Sequence, residues 1–180
     1  GISLSYNEKE AYYIPINHKD VLSKALFSNQ IPLNKVIEKL SPLCFNPAVL
    51  KIGQNIKYDI RILDKYGVKF VSIADTMLMS YALDNGITRH GMDDLAFMHF
   101  NHSTIKFKDM VGSGKKEITF DYVNINEATK YAAEDALITL KLFNFLQKRL
   151  AKEKCSYIYE KIDKPLIPVL SSMEKFGIKV

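Results

Sequence analysis

GQNIKYD, residues 53–59, lies between two short runs of different period. Before it, VLKI (Val49–Ile52) reads as a short buried strand. After it, IRILDKYG places Ile60, Leu63 and Tyr66 at helical spacing, with Gly67 as the stop. Asp59 is therefore expected near the start of a helix, just past the C-terminal end of a strand. Open α/β sheets bind their ligands at that edge. Asp59 is either a helix-favouring surface charge or one ligand of a cation, and a ligand needs partners.

The surrounding sequence supplies the frame. Ile2–Tyr6 and Tyr12–Ile16 read as a hairpin around the polar turn NEKE. Leu33–Leu43 has helical spacing at Leu33, Val36, Ile37 and Leu40, and KFVSIA (Lys69–Ala74) is a second short strand. Asp75 can N-cap the run TMLMSYAL. GMDDLAFMHF (Gly91–Phe100) reads as a helix, GSGKK as a loop, and Glu127–Leu150 as the longest helix, capped by Asn126. Pro165 and Pro168 punctuate a last helical stretch ending at Gly177. A hairpin followed by alternating helix and strand predicts an α/β fold with a mixed sheet flanked by helices. The chain begins inside a strand, and the tail FGIKV reads as the start of another element, so both ends look cut from something longer.

Composition bounds the rest. The 180 residues are 47% hydrophobic and 25% charged, an ordinary globular balance with room for a core. Cys44 and Cys155 are too few for a disulfide framework and fit a reducing cytoplasm. No apolar run approaches the roughly 20 residues that span a bilayer, so no membrane partner is expected. The net charge of +5 favours anionic partners, and Lys141–Lys164 holds seven basic against three acidic residues. That cluster is either a solvated helix face or a nucleic-acid flank. No G-x-G-x-x-G follows a strand, which argues against a dinucleotide binder.

Within the long helix, YAAED sets Tyr131 and Asp135 four residues apart, on one face, with Ala132 and Ala133 leaving room beside them. Glu134 points about 100° away and belongs elsewhere. A Y-x-x-x-D pair reads equally well as a tyrosine packed beside a solvated aspartate, and Tyr159 with Asp163 fits it too. Beside Asp59, however, Asp135 makes a second carboxylate at the same sheet edge. Mg²⁺ prefers such oxygen ligands. A metal pair about 4 Å apart can clamp both oxygens of a phosphoryl displacement. The charges fall short: two Mg²⁺ carry four positive charges, against about three from two carboxylates and one phosphodiester. Asp75, Asp93 and Asp94 are better read as a helix cap and first-turn acids.

GQNIKYD, ADTMLMSYAL, RHGMDDLA and YAAEDALITLKL, in that order, resemble the 3′–5′ proofreading exonuclease domain of bacterial DNA polymerase I, a DnaQ-like domain with a ribonuclease H-like fold. The tail PLIPVLSSMEKFGIKV resembles that family's junction into the polymerase domain. The resemblance implies an exonuclease domain over residues 1–155 and a helical junction over 156–180. It implies a two-metal site using Mg²⁺, or Mn²⁺ or Zn²⁺, with Asp59 and Asp135 as ligands and Tyr131 assisting the attacking water. Gln54, Asn55 and Tyr58 would line the terminal nucleotides at the 3′ end of single-stranded DNA. Arg89 would contact a phosphate, and Phe107 would pack against the last bases. The family's other two metal ligands form a D-x-E motif on a first strand that lies beside Ile2–Tyr6, and no D-x-E occurs in these 180 residues. The expectation is a truncated site, inactive or weakly active alone. Two alternatives stand beside it: an RNA exonuclease resembling ribonuclease D, and a degenerate domain that binds single strands or supports a polymerase without catalysis.

Overall fold

The computed structural model describes residues 1–87, 89–114 and 117–177. Lys115 and Lys116 of GSGKK, and the last three residues of the FGIKV tail, lie outside the described residues. The hairpin forms as strands β1 (Ile2–Asn7) and β2 (Glu10–Ile14), antiparallel, with Ile2 opposite Ile14. The turn is tightened by the Asn7 side chain, whose Oδ1 accepts from the N–H groups of Lys9 and Glu10. This Asx geometry starts β2 two residues earlier than the apolar pattern indicates.

Helix α1 (Leu33–Phe45) leads into β3 (Lys51–Gly53), which is followed directly by α2 (Ile56–Asp64). Strand β4 (Ile73–Asp75) runs parallel to β3, with Gly53 opposite Asp75. Both strands are short because only their last residues reach the ladder; the preceding segments lead in as loops. Then come α3 (Thr76–Asp84), α4 (Met92–Phe100), the short α5 (Phe107–Val111) and α6 (Ile125–Lys152). Helix α6 starts earlier than expected. Its cap is Asn124, whose side chain accepts from the Asn126 N–H, so Asn126 is the capped residue rather than the cap. After α7 (Ser156–Ile158), one π-turn (Tyr159–Asp163) leads into α8 (Lys164–Phe176), which stops at Gly177 with φ +75°.

Among the described residues the strands make two separate ladders, one antiparallel and one parallel. Both lie under α6, which packs on β1, β2 and β3. The main core is the stripe Ile138, Leu142, Leu146 and Leu150 of α6, spaced four apart, meeting Met79, Leu95 and Tyr159. Tyr159 is 1% exposed, so the second Y-x-x-x-D pair is a core tyrosine and not a site. Helix α8 is braced on α2 by Lys57 and Arg61 with Glu174, and by Lys175 with Asp64. These ion pairs are solvent-exposed and fix the docking geometry more than they add stability. Among the described residues no helix is long and apolar enough to cross a membrane.

Candidate active site

Strand β3 delivers the chain to a tight turn before α2. Gly53 is required there: a Cβ at this position would meet the Ile56 side chain at 2.8 Å. Asn55 turns the chain in the left-handed region, φ 57°, a conformation that asparagine tolerates better than most residues. It occupies the N-cap position of α2 but makes no capping bond with its side chain, which leaves its exposed amide available to a ligand. Asp59 falls in the first turn of α2, as the strand–turn–helix reading expects, and Tyr58 is 64% exposed beside it.

Gln54 is differently placed. Its Nε2 donates to the carbonyl of His90 at 2.8 Å, and its Oε1 accepts from the Thr76 hydroxyl at 2.5 Å. The side chain thus ties the turn to the segment that carries Arg89. Arg89 itself is exposed, with no ion pair among the described residues.

The second half of the site is on α6. Tyr131 and Asp135 share a face, and one oxygen of Asp135, Oδ1, is buried without a hydrogen-bond partner. Phe107 stacks on Phe120 with centroids 5.9 Å apart and planes 18° from parallel, and both rings lean on Tyr131. Phe107 is 49% exposed, so one aromatic face is open beside the Tyr131–Asp135 pair. Phe120 escaped the sequence reading because it lies in a short 3₁₀ turn, Phe120–Tyr122, with no periodicity to betray it. Glu134 turns away, as its 100° offset requires. It accepts from the Ile105 N–H at 2.7 Å and pairs with His102 at 2.8 Å, which anchors the segment leading to Phe107. Asp93 holds the same segment through Thr104 and Lys106. Asp75 caps α3. Asp75, Asp93 and Glu134 are therefore structural, while Asp94 is exposed in the first turn of α4.

Burial pushes the Asp135 carboxyl up to about 6; the Tyr131 hydroxyl opposes this, and the charges of Glu134 and Asp93 add to it. Crowding by the surrounding protein likewise pushes Asp59 up to about 6, its own backbone N–H opposing and the charge of Asp75 adding. Asp59 as a residue is open to solvent, whereas one oxygen of Asp135 has no solvent contact. Burial, then the charge of Asp135, holds the Tyr131 hydroxyl far above its usual range, so it stays protonated at neutral pH. The two aspartates keep separate carboxylate neighbours, and no cluster of three or more metal-ligating side chains occurs among the described residues.

A pH dependence follows for the metal-free chain. Folded Asp135 holds its proton up to about pH 6, against a reference of 3.8, so between these values the folded chain binds more protons than the unfolded one. The contribution of Asp135 to stability then falls as pH rises through this window, by at most about 3 kcal/mol for two units. Urea unfolding in EDTA at pH 4 and pH 7, wild type against Asp135→Asn, isolates it from the other titrating groups. A wild-type chain that gains stability relative to the variant between pH 4 and pH 7 contradicts the burial of this carboxyl.

Lys141, at the near end of the basic cluster, lies six residues beyond Asp135 on α6, about 9 Å along its axis, and the rest of the cluster runs farther from the site. Lys152 lies 17 residues beyond Asp135 on the same helix, about 25 Å along its axis. Arg149 is paired with Asp84 and Glu153, and Lys164 with Glu160.

Residues 1–151 match a family model described as 3′–5′ exonuclease. DNA polymerase I of Rhizobium leguminosarum is 46% identical over 174 residues, covering 94% of this chain and 17% of that protein. DNA polymerase I of Pseudomonas aeruginosa is 41% identical over 184 residues, covering 100% of this chain and 20% of that protein. The chain thus spans about a fifth of the length of these relatives. Among solved structures, Brucella melitensis NrnC with bound Mg²⁺ superposes with TM-score 0.61 at 19% identity, over 77% of this chain and 64% of that one. The likeness bears out the ribonuclease H-like α/β fold. Matched over 151 of its residues, with Asp59 and the Tyr131–Asp135 pair inside the matched span, the chain belongs to the 3′–5′ exonuclease family.

Proposed function

We propose that the chain serves as the proofreading domain of a cytoplasmic DNA polymerase I, hydrolysing the 3′-terminal phosphodiester of single-stranded DNA beside a polymerase domain of the same protein. The observation that carries this reading is the buried Asp135 oxygen without a donor, next to a protonated tyrosine and an open aromatic face. An acceptor left without a donor is costly, and a cation would satisfy it. The all-oxygen donor pair fits a hard divalent ion, Mg²⁺ or its substitutes Mn²⁺ and Zn²⁺. Asp59 and Asp135 would hold it; when bound, it would neutralise charge on the phosphate and lower the pKa of water. Tyr131 keeps its proton and can orient a water by hydrogen bonding. Phe107, backed by Phe120, offers a stacking surface worth about 1–3 kcal/mol per base without preference for sequence. Asn55, Tyr58 and Arg89 present free polar groups to sugar and phosphate. Gln54, its amide already engaged, acts by holding the turn to the Arg89 segment.

Binding to single-stranded oligonucleotides should be weak, salt-sensitive and indifferent to base sequence, because it draws on a few cations and one aromatic platform. Fluorescence anisotropy with oligo-dT, oligo-dA and mixed strands at several salt concentrations tests this. Strong preference for one sequence, or affinity unmoved by salt, contradicts it. A matched ribose strand bound and cleaved equally well would move the assignment to the ribonuclease D-like reading.

A further inference from the structure

We infer that the buried carboxylate of Asp75 is a positioning residue of the candidate site: it fixes the left-handed turn at Asn55 and the first turn of α2, from which Asn55 and Asp59 project. Its consequence for chemistry rests on the proposed roles of those two residues; its geometry stands without them.

Asp75 ends β4 and is 2% exposed. Its Oδ1 accepts from the N–H groups of Met77 at 2.9 Å and Leu78 at 3.2 Å, the ordinary work of a cap on α3. The same oxygen accepts from Asn55 N–H at 3.2 Å, and Oδ2 accepts from Ile56 N–H at 2.9 Å. Those two groups belong to the opening of α2, where the first N–H groups have no partner within the helix. One carboxylate therefore caps two helices. The parallel register makes this possible by setting Gly53 directly opposite Asp75. The backbone of Asp75 is held in turn: its N–H donates at 3.0 Å to the hydroxyl of Tyr159, itself 1% exposed. Asparagine tolerates the left-handed region, and the bonds from the Asn55 and Ile56 N–H groups to Asp75 fix it there.

Capping alone does not need a carboxylate. Serine and asparagine cap as well as aspartate. Only a carboxylate offers two acceptor oxygens and no donor, which is what four N–H groups from two elements require. Asp75→Asn should keep the cap on α3 while placing an amide NH₂ against the Ile56 N–H. Asp75→Ser should also keep the cap but fall short of α2 altogether.

The test is amide hydrogen exchange by NMR on this chain, wild type against both variants. In Asp75→Ser, Asn55 and Ile56 should exchange about tenfold faster or more, with Met77 and Leu78 nearly unchanged; in Asp75→Asn the effect should centre on Ile56. The same samples are titrated with Mn²⁺ alone, following paramagnetic broadening at Asp59 and Asp135. Broadening at Asp59 should need about tenfold more Mn²⁺ in the variants. Equal acceleration at all four amides, or none, overturns the positioning role. Unchanged Mn²⁺ affinity at Asp59, despite faster exchange at Asn55 and Ile56, overturns its consequence for the site. Absence of Mn²⁺ broadening at Asp59 in the wild type overturns the metal-ligand reading instead, and the exchange data still decide the positioning.

Discussion

Replacing Asp135 with asparagine should remove 3′–5′ hydrolysis, measured in the protein's full natural form, by a factor on the order of 10³ or more. The same change should make the metal-free chain more stable at neutral pH. Both effects come from one carboxylate. Its charge is what a cation would bind, and asparagine keeps the shape while removing the charge. That charge is also costly without a cation, because one oxygen is buried with no donor and Glu134 and Asp93 add their own field. The stability gain should approach about 3 kcal/mol at pH 7 and vanish by pH 4, since the wild-type group is then protonated. Tyr131→Phe should lose less activity, toward the lower end of the roughly 10²–10⁴-fold range of acid–base assistance, because it removes an orienting hydroxyl and no charge. A full-length enzyme that hydrolyses normally with Asp135→Asn refutes the ligand assignment. A variant that is inactive and also less stable points to a structural role instead.

What could be read in the sequence was local. The strand, turn and helix around GQNIKYD depend on residues within a few positions of one another, and they form in the expected order, although the strand is Lys51–Gly53 and the apolar Val49 and Leu50 before it are exposed rather than buried. The cap by Asp75 is equally local, and so is the turning away of Glu134 from the face of Tyr131 and Asp135. The second duty of Asp75 is not local. It reaches Asn55 and Ile56 only because β3 and β4 pair in parallel with one register, which residue spacing does not specify. Gln54 illustrates the same limit. A side-chain amide at a sheet edge reads as a ligand group until Thr76 and His90 are seen to occupy it. Tyr159 is the converse case. Its pairing with Asp163 repeats the spacing of Tyr131 and Asp135, and only burial separates the core tyrosine from the candidate catalytic one. At α6, two asparagines two residues apart both suit a cap, and the backbone, not residue type, selects Asn124.

Joining to β1 a strand that carries D-x-E should raise Mg²⁺-dependent hydrolysis of single-stranded DNA by a factor on the order of 10³ over residues 1–180 alone. Asp59 and Asp135 supply two negative charges, and the nearby acids are engaged elsewhere: Asp75 on four N–H groups, Asp93 on Thr104 and Lys106, Glu134 on Ile105 and His102. Two carboxylates with separate neighbours hold a hard cation loosely, with water filling most of its coordination. Residues i and i+2 of a strand project from the same face, so D-x-E delivers both of its carboxylates to one side of the sheet. Strand β1 has β2 as its one ladder partner among the described residues, and its other edge can accept a strand. Such an edge is also a liability, because unpaired N–H and C=O groups invite pairing between copies. The added strand should therefore reduce self-association as it raises activity. The comparison is between residues 1–180 and a version extended at the N-terminus, assayed on a single-stranded oligonucleotide and sized by light scattering. A third sample carries the extension with both acids replaced by alanine. This sample should stay monomeric and remain inactive, which separates the strand's pairing from its charge. Equal hydrolysis by the short and extended forms would mean that Asp59 and Asp135 already suffice, and the charge argument would fall with it.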